Sequence, residues 1–72
     1  MPSLPRISGA DTVRALEKLG FRQVRQRGSH VVLRRDDVVT VVPLHRRDLA
    51  IGTLHGILKQ AGVTADEFIE QL

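Results

Sequence analysis

The amino-acid sequence predicts a small α+β domain in which a helix, three antiparallel strands and a second helix follow in that order, with a short helical extension at the end. Three observations predict it. Apolar residues recur at helical spacing at Ala10, Val13, Leu16 and Leu19. β-Branched residues and arginines then fill positions 22–43, with Gly28 and the pair Asp36-Asp37 as the turn signals. Helical spacing returns at Leu54, Ile57, Leu58 and Ala61. The sheet is expected to pack on the helices.

Each element has its own punctuation. Ser8 with Asp11 three residues on has the spacing of a capping box, so the first helix is expected from about Gly9 to Leu19. Gly20 stands where a left-handed C-terminal residue belongs, and Phe21 is placed to fold back on Leu16 as the apolar contact of a Schellman motif. A two-residue hairpin turn at Asp36-Asp37 sets Leu33 opposite Thr40, Val32 opposite Val41 and Val31 opposite Val42. Alternation then puts His30, Val32, Arg34, Val39 and Val41 on one face, and Ser29, Val31, Leu33, Thr40 and Val42 on the other. The second set has fewer charges along its middle and is expected to face the core, which leaves His30 and Arg34 accessible. A polar loop covers 44–51, Gly62 stops the second helix, and Thr64 with Glu67 forms a second capping box. Val63 and Phe68 occupy the staple positions of that last helix.

At 72 residues the chain is expected to form one domain over 1–72, since a second core of useful size could not close. With no cysteine, disulfides and thiolate metal sites are excluded and the core must hold by packing or through a partner. The segment Met1-Pro2-Ser3-Leu4-Pro5-Arg6 has no apolar run after its charge, and no stretch nears the ~18 apolar residues of a membrane span. A soluble, cytoplasmic protein is expected.

The formal net charge is +3, and its distribution is uneven. Arg22, Arg25, Arg27, Arg34, Arg35, Arg46 and Arg47 gather in the middle, opposed there by Asp36 and Asp37, whereas the tail after Lys59 carries Asp66, Glu67 and Glu70. The middle is therefore the candidate contact surface for an anionic partner. Arginines that merely keep a small sheet soluble are the competing reading. Phe21 and Phe68 are the only aromatic residues of the Phe, Trp and Tyr set, too few for a base-stacking platform, so any RNA contact is expected to run mainly to phosphates.

Among the side chains that can do chemistry, His30 in Gly28-Ser29-His30 sits at the start of a strand beside Arg27 and Arg34 in sequence. Histidine takes or gives a proton near neutrality and is the usual general acid or base. Ser29 and His30 are not a nucleophile–base pair if they share a strand, because neighbours point to opposite faces. A metal site from His30, His45 and His55 would need three separated elements to converge without a helping carboxylate or cysteine at ligand spacing, and is not expected. His45-Arg46-Arg47 precedes the second helix, where Gly52-Thr53 supply free amides and a hydroxyl suited to a phosphate; Thr53 as a plain N-cap is the structural alternative.

Taken in order, Gly28-Ser29-His30, Val39-Thr40-Val41-Val42-Pro43-Leu44-His45, and Gly52-Thr53-Leu54 with Ile57-Leu58-Lys59-Gln60-Ala61-Gly62 resemble the HicA family of toxin mRNA interferases. The similarity extends from about Ser8 to Phe68. It implies a fold like the double-stranded-RNA-binding domain, metal-independent ribonuclease activity on mRNA without a cofactor, and inhibition by a HicB antitoxin. His30 matches the family's catalytic position. Many relatives carry a polar or aromatic residue directly after that histidine, whereas Val31 stands here.

The expected mechanism has His30 act as general base on a ribose 2′-hydroxyl, which attacks the adjacent phosphate while arginines stabilise the charge that develops. Arg27 and Arg34 are the candidates for that stabilising role, and Ser29, Arg46, Arg47 and Thr53 for RNA contact. A non-catalytic RNA-binding module of the same fold is the alternative, and an interaction subunit that docks an acidic protein is a third class.

Overall fold

The computed structural model describes residues 3–72; Met1 and Pro2, which open the N-terminal segment discussed above, lie outside the described residues. Helix α1 covers Gly9–Lys18, strands β1, β2 and β3 cover Arg22–Arg27, His30–Arg35 and Val38–Pro43, and helices α2 and α3 cover Ile51–Ala61 and Ala65–Ile69. This is the predicted α-β-β-β-α order with its short final helix.

Helix α1 starts where the Ser8 hydroxyl accepts the Asp11 amide at 3.0 Å, supplying a partner for one of the orphan donors of a helix start. It ends as expected: the Phe21 amide donates to the Leu16 carbonyl and the Gly20 amide to the Glu17 carbonyl, both at 3.0 Å, which is the paired bonding of a Schellman motif. Phe21 is turned into the core by that motif. The buried Thr12 hydroxyl donates to the Ser8 carbonyl at 2.9 Å, so its burial leaves no unmet polar atom.

The three strands form one antiparallel sheet in the order β1-β2-β3. The register of β2 and β3 is the one predicted, with Val31 opposite Val42, Val32 opposite Val41 and Leu33 opposite Thr40. Val31, Leu33, Thr40 and Val42 are buried, whereas Val39 and Val41 remain 42% and 38% exposed, so the face with fewer charges is indeed the inner one. Thr40 is accommodated there because its hydroxyl bonds Gln60 Oε1 at 2.9 Å, across to α2.

Helix α2 packs on β3, and α1 packs on β3 and β1. Between helices and sheet lie Leu16, Phe21, Val31, Leu33, Val42, Leu54, Leu58 and Phe68, all buried. The short α3 exists to deliver Phe68, which is fully buried, a burial that contributes roughly 1.5–3 kcal/mol. Its capping box is complete: the Thr64 hydroxyl accepts the Glu67 amide and the Glu67 carboxylate accepts the Thr64 amide. The Thr64 backbone amide that donates to the Glu67 carboxylate, and the Thr64 hydroxyl beside it, hold the Glu67 carboxyl below its ordinary pKa. Among the described residues no helix is long and apolar enough to cross a membrane.

Two local expectations are corrected. Helix α2 begins at Ile51 with Ala50 as its N-cap and no capping side chain, so Thr53 is not the N-cap but lies inside the first turn. Arg35 does not belong to the open basic surface: it alternates with Arg34 on the strand, donates to the Leu19 carbonyl at 2.8 Å and lies over the Phe21 ring at 4.6 Å. It is a packing arginine that closes the end of α1.

Candidate functional site

Opposed residues of an antiparallel pair share a face, so the register of β1 and β2 builds the outer surface. Arg27 stands opposite His30, Arg25 opposite Val32 and Arg22 opposite Arg34. The spacing 22, 25, 27 does not follow strict alternation, which would send Arg25 and Arg27 to the face opposite Arg22. A bulge between Gln23 and Arg25 inserts Val24 as an unpaired residue and re-aims the strand. Three arginines are thereby gathered on the face of His30. Sequence periodicity alone missed this, because a bulge leaves no mark on an edge strand whose residues are all exposed.

His30 is the first residue of β2, exposed, between Arg27 on β1 and Pro43 on β3. The turn before it is Gly28-Ser29, with Gly28 at φ +57°, a conformation that glycine adopts without the steric cost a Cβ imposes. The Gln26 side-chain amide donates to the Gly28 carbonyl at 3.0 Å and braces the turn. Ser29 is half-buried, and its carbonyl accepts the Leu44 amide at 2.5 Å. That bond carries the ladder one step beyond the strands and fixes where the following residue, His45, departs.

The consequence is a juxtaposition of two imidazoles. The rings of His30 and His45 lie with centroids 6.0 Å apart at an interplanar angle of 89°, edge to face. Both are exposed. Beyond His45, residues Pro43, His45, Arg46, Arg47, Asp48, Leu49, Ala50 and Thr53 line an open concavity of about 350 Å³. The first turn of α2 forms one wall, and it has no acidic residue. The first internal helix bond there is from the Leu54 amide to the Ala50 carbonyl, which leaves the amides ahead of it without intrahelical partners.

The predicted residues therefore separate into two groups. His30, Arg27 and Ser29 stand together at one end of the sheet, and Arg46, Arg47 and Thr53 line the adjoining concavity through His45. Arg34 stands apart. It is four residues along β2, about 13 Å by the strand rise, and its guanidinium is engaged with the Asp36 carbonyl at 2.6 Å and the Asp37 carboxylate at 3.8 Å. It is not beside His30, as its sequence position suggested. His55 is exposed on α2, and among the described residues no three of His, Asp and Glu gather as a metal-ligand set.

These features define a small basic α+β protein with a solvent-open histidine site at the sheet end, flanked by arginines. The chain belongs to the HicA family, the toxins of bacterial toxin-antitoxin systems, whose family model matches residues 9–63. The match runs from the first residue of α1 to the residue after Gly62 and contains every site residue named above, while α3 lies beyond it. No curated protein matches the chain. Membership makes the chain a toxin with an antitoxin as its partner.

Proposed function

We propose that this toxin is a ribonuclease acting on mRNA in the cytoplasm, with His30 as its general base and a HicB-type antitoxin as its inhibitor. The observation that carries this reading is the setting of His30, an exposed imidazole at a strand start opposite Arg27; the resemblance to the family implies the catalytic role for this position. His30 removes the proton of a ribose 2′-hydroxyl, and the resulting oxygen attacks the neighbouring phosphorus. Arg27 is placed to offset the negative charge that develops on the phosphate. Arg46, Arg47 and the first turn of α2 with Thr53 receive the flanking backbone. Ser29 contributes through the turn that fixes His30, and Arg34 contacts a phosphate further along the strand. DNA lacks the 2′-hydroxyl and is not a substrate.

The reaction so drawn requires no divalent cation. The test is cleavage of RNA by the purified chain, with circular dichroism on the same samples. The wild type is expected to cleave in EDTA as well as in its absence, and to leave 2′,3′-cyclic phosphate or its hydrolysed form. His30→Ala is expected to fold and to lose about 10²–10⁴-fold in rate. Binding of RNA without cleavage by the wild type would favour the RNA-binding module instead, and 3′-hydroxyl products would point to attack by water.

A further inference from the structure

We infer that His45 is the second catalytic residue of this site, the general acid that protonates the leaving 5′-oxygen. The inference rests on the ribonuclease reading above and adds a group to it. Attack by a 2′-oxygen displaces the 5′-oxygen from the opposite side of phosphorus, so a base and an acid that serve one phosphate must approach it from two directions. Each has to come within about 2.6–3.2 Å of its own oxygen. His30 and His45 suit that demand: their rings are separate, 6.0 Å between centroids, and perpendicular, so each imidazole can serve a different oxygen of one phosphate.

The placement is built into the backbone. His30 is paired with Pro43, and His45 is two residues beyond Pro43, hence on the same face where the ladder continues through the Leu44-to-Ser29 hydrogen bond. A diagonal neighbour of this kind lies about 7–8 Å away between Cα atoms, with side chains nearer. The charged groups around the pair are Arg27 on β1, and Arg46, Arg47 and Asp48, which line the concavity with His45. Arg14 and Glu17 of α1 line a separate concavity with Leu44.

The proton and bond changes close. His30 takes the proton of the 2′-hydroxyl as the new oxygen–phosphorus bond forms, the bond from phosphorus to the 5′-oxygen breaks, and the His45 imidazolium gives its proton to that oxygen. The products are a 2′,3′-cyclic phosphate and a free 5′-hydroxyl, with no oxidant, metal or further reactant.

The test compares ordinary RNA with an analogue whose bridging 5′-oxygen is replaced by sulfur, a leaving group that departs as a thiolate without being protonated. His45→Ala is expected to cleave RNA about 10²–10⁴-fold more slowly than the wild type, yet to cleave the sulfur analogue within about tenfold of it. His30→Ala is expected to lose both reactions, and His55→Ala neither. The pH–rate profile of the wild type on RNA is expected to be bell-shaped, and that of His45→Ala to keep only its acidic limb. Equal loss on both substrates would make His45 a structural residue, and undiminished RNA cleavage would remove it from the reaction; either overturns the inference. His45→Gln, read in the same way, replaces His45→Ala if circular dichroism shows the alanine variant unfolded. A wild type that cleaves neither substrate overturns the ribonuclease reading itself.

Discussion

At the scale of single residues, the site is positioned by contacts that carry no chemistry of their own. Gly9, the first residue of α1, is buried against the end of β3. A Cβ built on it would lie well inside contact distance of the Pro43 carbonyl oxygen and 3.3 Å from the Leu44 Cα. Pro43 pairs with His30 and Leu44 bonds Ser29, so the same close approach that packs α1 also sets the segment leading to His45. Gly9→Ala is expected to cost about 1–3 kcal/mol, as overpacking of a filled interior does, and to lower RNA cleavage more than the loss of folded protein accounts for. Urea unfolding and cleavage measured on one preparation check it; unchanged stability would mean that the helix end moves away freely. Nothing in the sequence distinguishes Gly9 from an ordinary helix start, because its partner is 34 positions away and periodicity records only near neighbours.

At the scale of elements, legibility follows how local the determining interaction is. The termini of α1 and α3 were readable because capping and Schellman bonds join residues within five positions: Ser8 to Asp11, Leu16 to Phe21 and Thr64 to Glu67. The register of β2 and β3 followed from a two-residue turn, and carried one step further the same register places His45 diagonally from His30. That signal was present in the sequence. The bulge at Val24 was not, since an exposed edge strand has no inward apolar residues whose phase would shift. The loop expected over 44–51 runs one residue into α2, because Ala50, the N-cap, offers no side-chain acceptor to recognise. For α3 a direct prediction follows. Thr64→Ala is expected to cost about 0.5–2 kcal/mol, the usual loss of a cap, seen as faster amide exchange over 65–69. The Glu67 carboxyl has a folded pKa below its unfolded value, so its contribution is present above the unfolded value and is lost as pH falls through the folded one. Protection of the α3 amides, taken relative to the intrinsic exchange rate at each pH, is thus expected to fall in acid, and protection insensitive to acid would show that the Glu67 half of the box does not support the helix.

At the scale of the whole molecule, the bulged β1 and the loop after β3 collect positive charge around the histidine pair, while the acidic residues Asp66, Glu67 and Glu70 sit in and after α3. Such a field steers polyanions and acidic proteins to the same surface. The outer face also exposes Val39 and Val41 between its charges, which gives an antitoxin apolar area as well as arginines. We expect the antitoxin to cover His30 and block RNA by occlusion. Reversing Arg27 and Arg34 to glutamate should weaken cleavage and antitoxin binding together, with the binding loss shrinking as salt is raised. Full antitoxin affinity alongside abolished cleavage would show two distinct surfaces. The central claim, that His30 makes this toxin act by cutting RNA, is tested most directly by inducing the wild type and His30→Ala in bacteria and following growth and total RNA together. The wild type is expected to arrest growth as RNA is cut, and His30→Ala, accumulated to the same level, to do neither. Equal arrest by His30→Ala, or arrest by the wild type with RNA intact, would contradict it.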